Sequence, residues 1–325
     1  MDLKEKLRTG GATRALYQKL RTARDNREAV RRMRDKQIRF EDRRQNQEKL
    51  VMIIAGYKEF LWPTVFARFR KFIPADCDVC VASSGKYVPA LSKLAKEAGW
   101  SYLATDRNNV ALLQNIVITH FPAAQFIFKV DEDIFATEGL FSSLLATYHE
   151  AEQEKKYNVG FVAPLIPLNG YGHVRVLEKL GLVDYYAQHF EEVKYAAGRD
   201  RAVEDDLQVA EFFWGAGGFV PPIDELARRF RDEPRAYRAC PIRFSIGCIL
   251  FTRSFWKSMG MFAVAKNGPG MGADESQICA FCIEESKAMI IDENALAGHL
   301  SFGKQNAPMK KYYLQHADSK YFTNG

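Results

Sequence analysis

The sequence predicts an α/β fold built on a doubly wound, mostly parallel sheet, and three observations predict it. Short apolar runs rich in β-formers alternate with segments whose apolar residues recur at helical spacing, four times in about 85 residues from Leu50. Each of those four runs ends in small, hydroxyl or acidic residues. No Gly-x-Gly-x-x-Gly follows the first run and no Gly-x-x-x-x-Gly-Lys-Ser/Thr appears, which argues against dinucleotide and P-loop folds. Such alternation gives parallel strands with right-handed crossovers, so the ends of the runs share one edge of the sheet.

In chain order, residues 1–48 read as a basic arm. Ala, Arg, Lys, Gln and Glu favour helix from about Ala12, over a thin apolar stripe. The apolar run Leu50–Gly56 suits a strand covered on both faces and ends at Ala55, Gly56 and Tyr57. Trp62, Val65, Phe66 and Phe69 mark a helix. Asp78–Gly85 is a second strand, ending at Ser83 and Ser84, and Pro89 suits the first turn of the next helix. Trp100–Asp106 is a third strand ending in acid. Val110, Leu113, Ile116 and Val117 mark a helix that also carries Asn115.

The fourth run, Phe126–Val130, is apolar around a single Lys and leads into Asp131-Glu132-Asp133. Unpaired carboxylates are costly inside a sheet. Two of them separated by one residue at a strand end make an oxygen-ligand pair for a hard divalent cation, or a solvated turn. Their shared edge with Gly56-Tyr57, Ser83-Ser84 and Asp106 favours the ligand reading, because ligands of open α/β sheets bind at that edge. Asp106 reads either as a ribose or base contact or as a helix cap.

Beyond Asp133 the alternation loosens. A helix is expected over 140–150, strands over Val159–Pro164, Phe244–Thr252 and Ala288–Asp292, and a helix from Asp274 to about Lys287. Residues 165–240 mix short helical patterns with Gly- and Pro-rich turns, where a second substrate could be shaped. Trp214 and His173 are aromatic candidates for that role, set against plain core positions.

The chain carries 47% apolar and 26% charged residues, as in an ordinary globular protein. Its first fifty residues hold sixteen Lys/Arg against eight Asp/Glu; the total is +6, so the other 275 residues stand at −2. Basicity therefore belongs to the arm, which predicts an anionic membrane surface or self-association as its partner, rather than nucleic acid. No apolar stretch is long enough to span a bilayer and the first residues lack a secretory pattern, so a cytoplasmic, peripherally attached protein is expected. The spacings Cys77/Cys80 and Cys279/Cys282 allow a zinc site, but their apolar surroundings favour core thiols.

Taken together, the order strand-Gly56-Tyr57, strand-Ser83-Ser84-Gly85, strand-Asp106, Val130-Asp-Glu-Asp133, Ser245–Trp256, Gly272-Ala-Asp-Glu-Ser276 and a late His299 resembles GT-A-fold glycosyltransferases of the family-2 type, over about residues 49–305. The resemblance implies a Rossmann-like nucleotide-binding half over 49–134 and an acceptor-binding half over 135–325. It implies Mn²⁺ or Mg²⁺ held by Asp131 and Asp133, with His299 either completing that set or satisfied by nearby backbone. A UDP-sugar donor would lie against Ala55, Gly56, Tyr57, Ser83, Ser84, Asp106, Asn115, Asp131 and Glu132. Ser83 and Ser84 stand where the family often has an Asp that reads uracil. The catalytic base is Asp274 or Glu275, since Ala273 replaces the usual Glu; Asp274 also fits a simple N-cap. The expected reaction is inverting hexosyl transfer to a glycan or lipid-linked acceptor in surface polysaccharide synthesis. Two alternatives remain open: a sugar nucleotidyltransferase, and a non-catalytic protein acting through its arm.

Overall fold

The computed structural model describes residues 37–196, 201–265, 270 and 272–323, with seven helical positions between 16 and 27. Those seven arm positions are exposed. The expectations of membrane docking and self-association rest on an arm that lies mostly outside the described residues.

A nine-stranded sheet forms the core, in the order β1-β4-β3-β2-β5-β9-β7-β10-β8. The strands are β1 (Ile38–Glu41), β2 (Lys49–Ile54), β3 (Cys77–Ser84), β4 (Ser101–Thr105), β5 (Phe126–Asp131), β7 (Val159–Leu165), β8 (Tyr237–Ala239), β9 (Cys248–Thr252) and β10 (Ala288–Leu296). A separate two-stranded ladder joins β6 (Ile134–Phe135) to β11 (Gly298–His299). β4, β3, β2 and β5 are parallel neighbours, and β7 pairs parallel with β10. The expected α/β architecture with a mostly parallel sheet is what the chain adopts.

The first half shows why. α1 (Trp62–Phe72), α2 (Pro89–Glu97) and α3 (Val110–His120) are the crossovers between β2, β3, β4 and β5. Pro89 stands at the helix start, where its missing N–H is harmless. Asn109 caps α3 by accepting from the Leu112 N–H at 2.9 Å. β2 and β5 bury their central residues almost completely, which their continuous apolar runs require. α4 (Leu140–Glu154) packs against β7 and β10.

Two details depart from the expected plan. β9 lies antiparallel between β5 and β7, so the sheet is mixed rather than uniformly parallel at its middle. The second concerns the start of the folded body, expected at Lys49. Ile38–Glu41 instead form a strand antiparallel to β4, and Asp78 accepts from the Gln45 and Gln47 N–H groups at 2.7 and 2.9 Å. Residues 38–41 thus form an edge strand, and the segment that follows is tied to β3 through Asp78 rather than forming a helical arm.

Helices α5 (Gly172–Leu180), α6 (Val183–His189), α7 (Ala202–Asp205), α8 (Leu207–Phe213) and α9 (Ile223–Arg231) fill the irregular region. They are followed by α10 (Arg253–Ser258), α11 (Ala273–Glu284) and α12 (Asn306–His316). All six cysteines are free, and five are buried. Cys80 sits in β3, and Cys279 and Cys282 lie in α11, where burial pushes their thiols up to about 11 and about 12. They are core residues, as their apolar surroundings suggested. Among the described residues no helix is long and apolar enough to cross a membrane.

Candidate active site

A cavity of about 480 Å³ opens at the edge where β2, β3 and β5 end. Its wall is built from Ala55 and Tyr57 after β2, Ser84 at the end of β3, and Asp131 and Asp133 at the end of β5. Asp274 and Glu275 at the start of α11 and His299 on β11 complete it. Nine of the thirteen residues expected at the site therefore meet at one cavity once Glu132 is included. Segments up to about 240 residues apart in the chain contribute to it.

Asp131 and Asp133 sit in contrasting electrostatic settings. Lys129, one pleat before Asp131, is buried within β5; its ammonium lies 2.6 Å from Asp131 Oδ1 and donates to the Ile246 carbonyl at 2.9 Å. Burial alone would lower the Lys129 pKa, but Asp131, Asp274 and Glu275 outweigh it and the pKa is raised. Burial pushes Asp131 up to about 6; Lys129 opposes this, and the carboxylates of Asp133 and Asp274 reinforce it. Asp133 is 5% exposed, and burial would raise it too. His299 and Lys58 reverse that and hold its carboxyl well below the usual range. His299 Nε2 is 3.1 Å from Asp133 Oδ2, and the Lys58 ammonium donates to the same oxygen.

The β6–β11 ladder explains how His299 arrives there. His299 pairs with Ile134, the residue after Asp133, and the Leu300 N–H donates to the Asp133 carbonyl at 3.3 Å. Trp214 braces the outside of this ladder. Its Nε1 donates to the His299 and Leu300 carbonyls, each at 3.2 Å, while its ring stacks on Phe322 and meets Phe135 edge-on. Trp214 is 4% exposed, so its face is not open to a sugar.

Asp274 and Glu275 occupy the first turn of α11, where the helix dipole favours ionised acids. Gly272, at φ +73°, is the N-cap, so Asp274 is not the simple cap that its position allowed. Its side chain is 6% exposed and accepts from Gln114 Nε2 at 2.7 Å. Glu275 is more open and is paired with Arg243 at 2.6 Å.

Four of the expected ligand positions are otherwise engaged. Glu132 lies at the wall, but its carboxylate accepts from the Gly56 N–H and Tyr57 N–H at 2.9 Å each and from Trp62 Nε1 at 2.6 Å. It ties the acidic tip to the turn after β2 and spends Gly56's donor in doing so. Ser83 is fully buried and bonded to the Tyr102 hydroxyl and the Lys86 carbonyl. Asn115 is also fully buried: it donates to the Phe262 carbonyl and accepts from Trp256 Nε1 and the Phe262 N–H. Asp106 is exposed outside the cavity wall, and Asn108 stands at the wall instead. Gly85, at φ +77°, permits this: a Cβ there would come within 2.5 Å of the Asn108 Cβ. Asn108 Oδ1 accepts from the Tyr57 hydroxyl at 3.1 Å. His173 is buried elsewhere, bonded to the Asn169 carbonyl.

Lys58, Asn108, Gln114, Lys129 and Arg243 are the site residues that sequence reasoning missed. Lys129 had a signal, as the one charge inside an apolar strand. Gln114 and Arg243 had none, because their roles depend on contacts with α11, 160 and 32 residues away.

The donor set suits a hard divalent cation: carboxylate oxygens with an imidazole alongside. Among the described residues, Asp131 Oδ2 and Asp133 Oδ1 accept no hydrogen bond, so each acid keeps an oxygen for a ligand. Likewise, no group of three or more His, Cys, Asp or Glu is gathered as a metal cluster. Among the described residues, His299 Nδ1 is buried without a partner, and Nε2, through Asp133, is the ring nitrogen that orients the imidazole. The two acids line one cavity and each keeps an oxygen that a cation could take, while Lys58 and His299 share the other oxygen of Asp133.

No family model matches the chain, and no curated protein matches it. Among solved structures it is similar to GalNAc-T7 with UDP, GalNAc and Mn²⁺, at 12% identity and TM-score 0.46, over 81% of this chain and 45% of that one. The chain thus spans less than half the length of that protein. It is similar to the mannosyltransferase PcManGT of Pyrobaculum calidifontis in complex with GDP-Man and Mn²⁺, at 13% identity and TM-score 0.45, over 88% and 67% of the two chains. It is also similar to a mycobacterial protein, at 12% identity and TM-score 0.41, over 86% and 76%.

Proposed function

We propose that the chain is a glycosyltransferase of the GT-A type, acting on a nucleoside diphosphate sugar. One observation carries this reading: two acids from the end of β5 and two from the start of α11 share one open cavity with His299. A cation held by Asp131 and Asp133, beside His299, would stabilise the negative charge of a departing diphosphate. The remaining work falls to the chain itself. Tyr57 and Asn108 stand at the rim, where a nucleoside would enter, and residues 49–134 supply this donor half. An acceptor hydroxyl needs a base to take its proton as it attacks. Asp274 fits that role better than Glu275: its carboxylate is held by neutral Gln114, whereas Glu275 is tied to Arg243. A base facing the donor across the cavity supports direct displacement with inversion, on an acceptor shaped by residues 135–325.

Isothermal titration with UDP and Mn²⁺ tests the reading. Binding of UDP that strengthens with Mn²⁺ is expected; absence of UDP binding by the intact protein rejects it.

A further inference from the structure

Lys58 is the feature of the cavity that a cation site does not need. It follows Gly56 and Tyr57, whose N–H groups are both fixed on Glu132, and it precedes Trp62, whose indole donates to the same carboxylate. The middle acid of Asp131-Glu132-Asp133 therefore sets the backbone from which Lys58 reaches back to Asp133. Its ammonium sits on Asp133 Oδ2, and Asn306 Oδ1 at the start of α12 offers a second acceptor at 3.4 Å. Ser301 holds that amide by donating to the same oxygen at 2.8 Å. Lys58 is a quarter exposed, whereas Lys129, the other ammonium in the cavity, is locked within the sheet.

We propose that Lys58 is a built-in competitor for the divalent cation. This rests on the cation reading of Asp131 and Asp133. With no cation bound, the ammonium neutralises Asp133. Entry of the cation puts two positive groups on one carboxylate, and the flexible one moves away, toward Asn306 and the cavity mouth, where a diphosphate can take its charge. Cation binding and diphosphate binding are thereby coupled through one side chain: each favours the state in which Lys58 has left Asp133. The device sets how much cation the empty protein takes up and reserves tight uptake for the moment the donor is present.

Mn²⁺ binding alone, followed by electron paramagnetic resonance without donor or acceptor, tests this in the full chain. Lys58→Met is expected to bind Mn²⁺ about tenfold more tightly than the unaltered protein, within the usual span of coupling between sites. Lys58→Arg, which keeps the charge, should stay close to the unaltered protein. Thermal melts of each variant confirm that it is folded. Silence in the unaltered protein with binding in Lys58→Met also supports the proposal. Equal or weaker binding in Lys58→Met overturns it while leaving the cation reading intact. No binding by either protein overturns both.

Discussion

At the scale of single residues, Lys129 shows that the acidic tip is electrically balanced from inside the sheet. Replacing Asp131 removes a proposed cation ligand and also strands a buried ammonium on one carbonyl. Breaking a buried pair from one side costs about 3 kcal/mol or more. Asp131→Ala is therefore expected to lose both stability and Mn²⁺-dependent UDP binding. Adding Lys129→Met should restore much of the stability and none of the binding. Urea melts beside titration read the two effects separately, and parallel recovery of both would contradict this assignment. His173, buried away from the cavity, bears on stability. Burial, with Arg201 nearby, holds its pKa down to about 4 against the Asn169 hydrogen bond. Between pH 6.5 and about 4 the unfolded chain takes up a proton there that the folded chain refuses, so stability falls on acidification by about 3 kcal/mol. His173→Gln should flatten that part of the stability–pH curve; unchanged slopes would show that other groups govern it.

At the scale of elements, β1 redraws the beginning of the folded body. Arg43 donates to the Trp100 carbonyl at 2.8 Å, and Ser92 donates to Glu41, so residues 38–43 clamp β4 and α2 together. We propose that the basic arm docks on anionic vesicles: deleting residues 1–36 should abolish that binding and leave the melting temperature nearly unchanged. Deleting residues 1–48 should lower the melting temperature as well, because β4 loses its edge partner. Differential scanning fluorimetry with vesicle co-sedimentation reads both, and equal melting of the two truncations would remove β1 from the stabilising edge. The alternation of Ile38 and Phe40 with Arg39 and Glu41 was legible as a short strand, but it sits in a charged stretch whose composition suggests helix. The acids at the end of β5 were legible because an apolar run that stops at Asp131 is a local signal. The direction of β9 was not, since orientation depends on where a connection of more than eighty residues returns. His299 was found only as a late histidine; what places it is the pairing of β11 with β6.

At the scale of the whole molecule, the sequence makes β2, β3, β4, β5 and their crossovers plain, because β3, β4 and β5 each pair in parallel with a strand made earlier. It hides what later segments bring to the cavity: Gln114 against Asp274, Arg243 against Glu275, and Lys58 beside Asn306. These are meetings between distant parts, with no periodicity to announce them. The antiparallel seat of β9 between β5 and β7 has one more consequence. The flank of β5 that carries the acids is completed by residues 248–252, some 120 positions further along. During synthesis on the ribosome, a bare hydrogen-bonding margin persists beside those carboxylates until most of the chain has emerged. The rim that carries Asp131 and Asp133 is therefore among the last parts of the protein to be completed, although those two residues are made early.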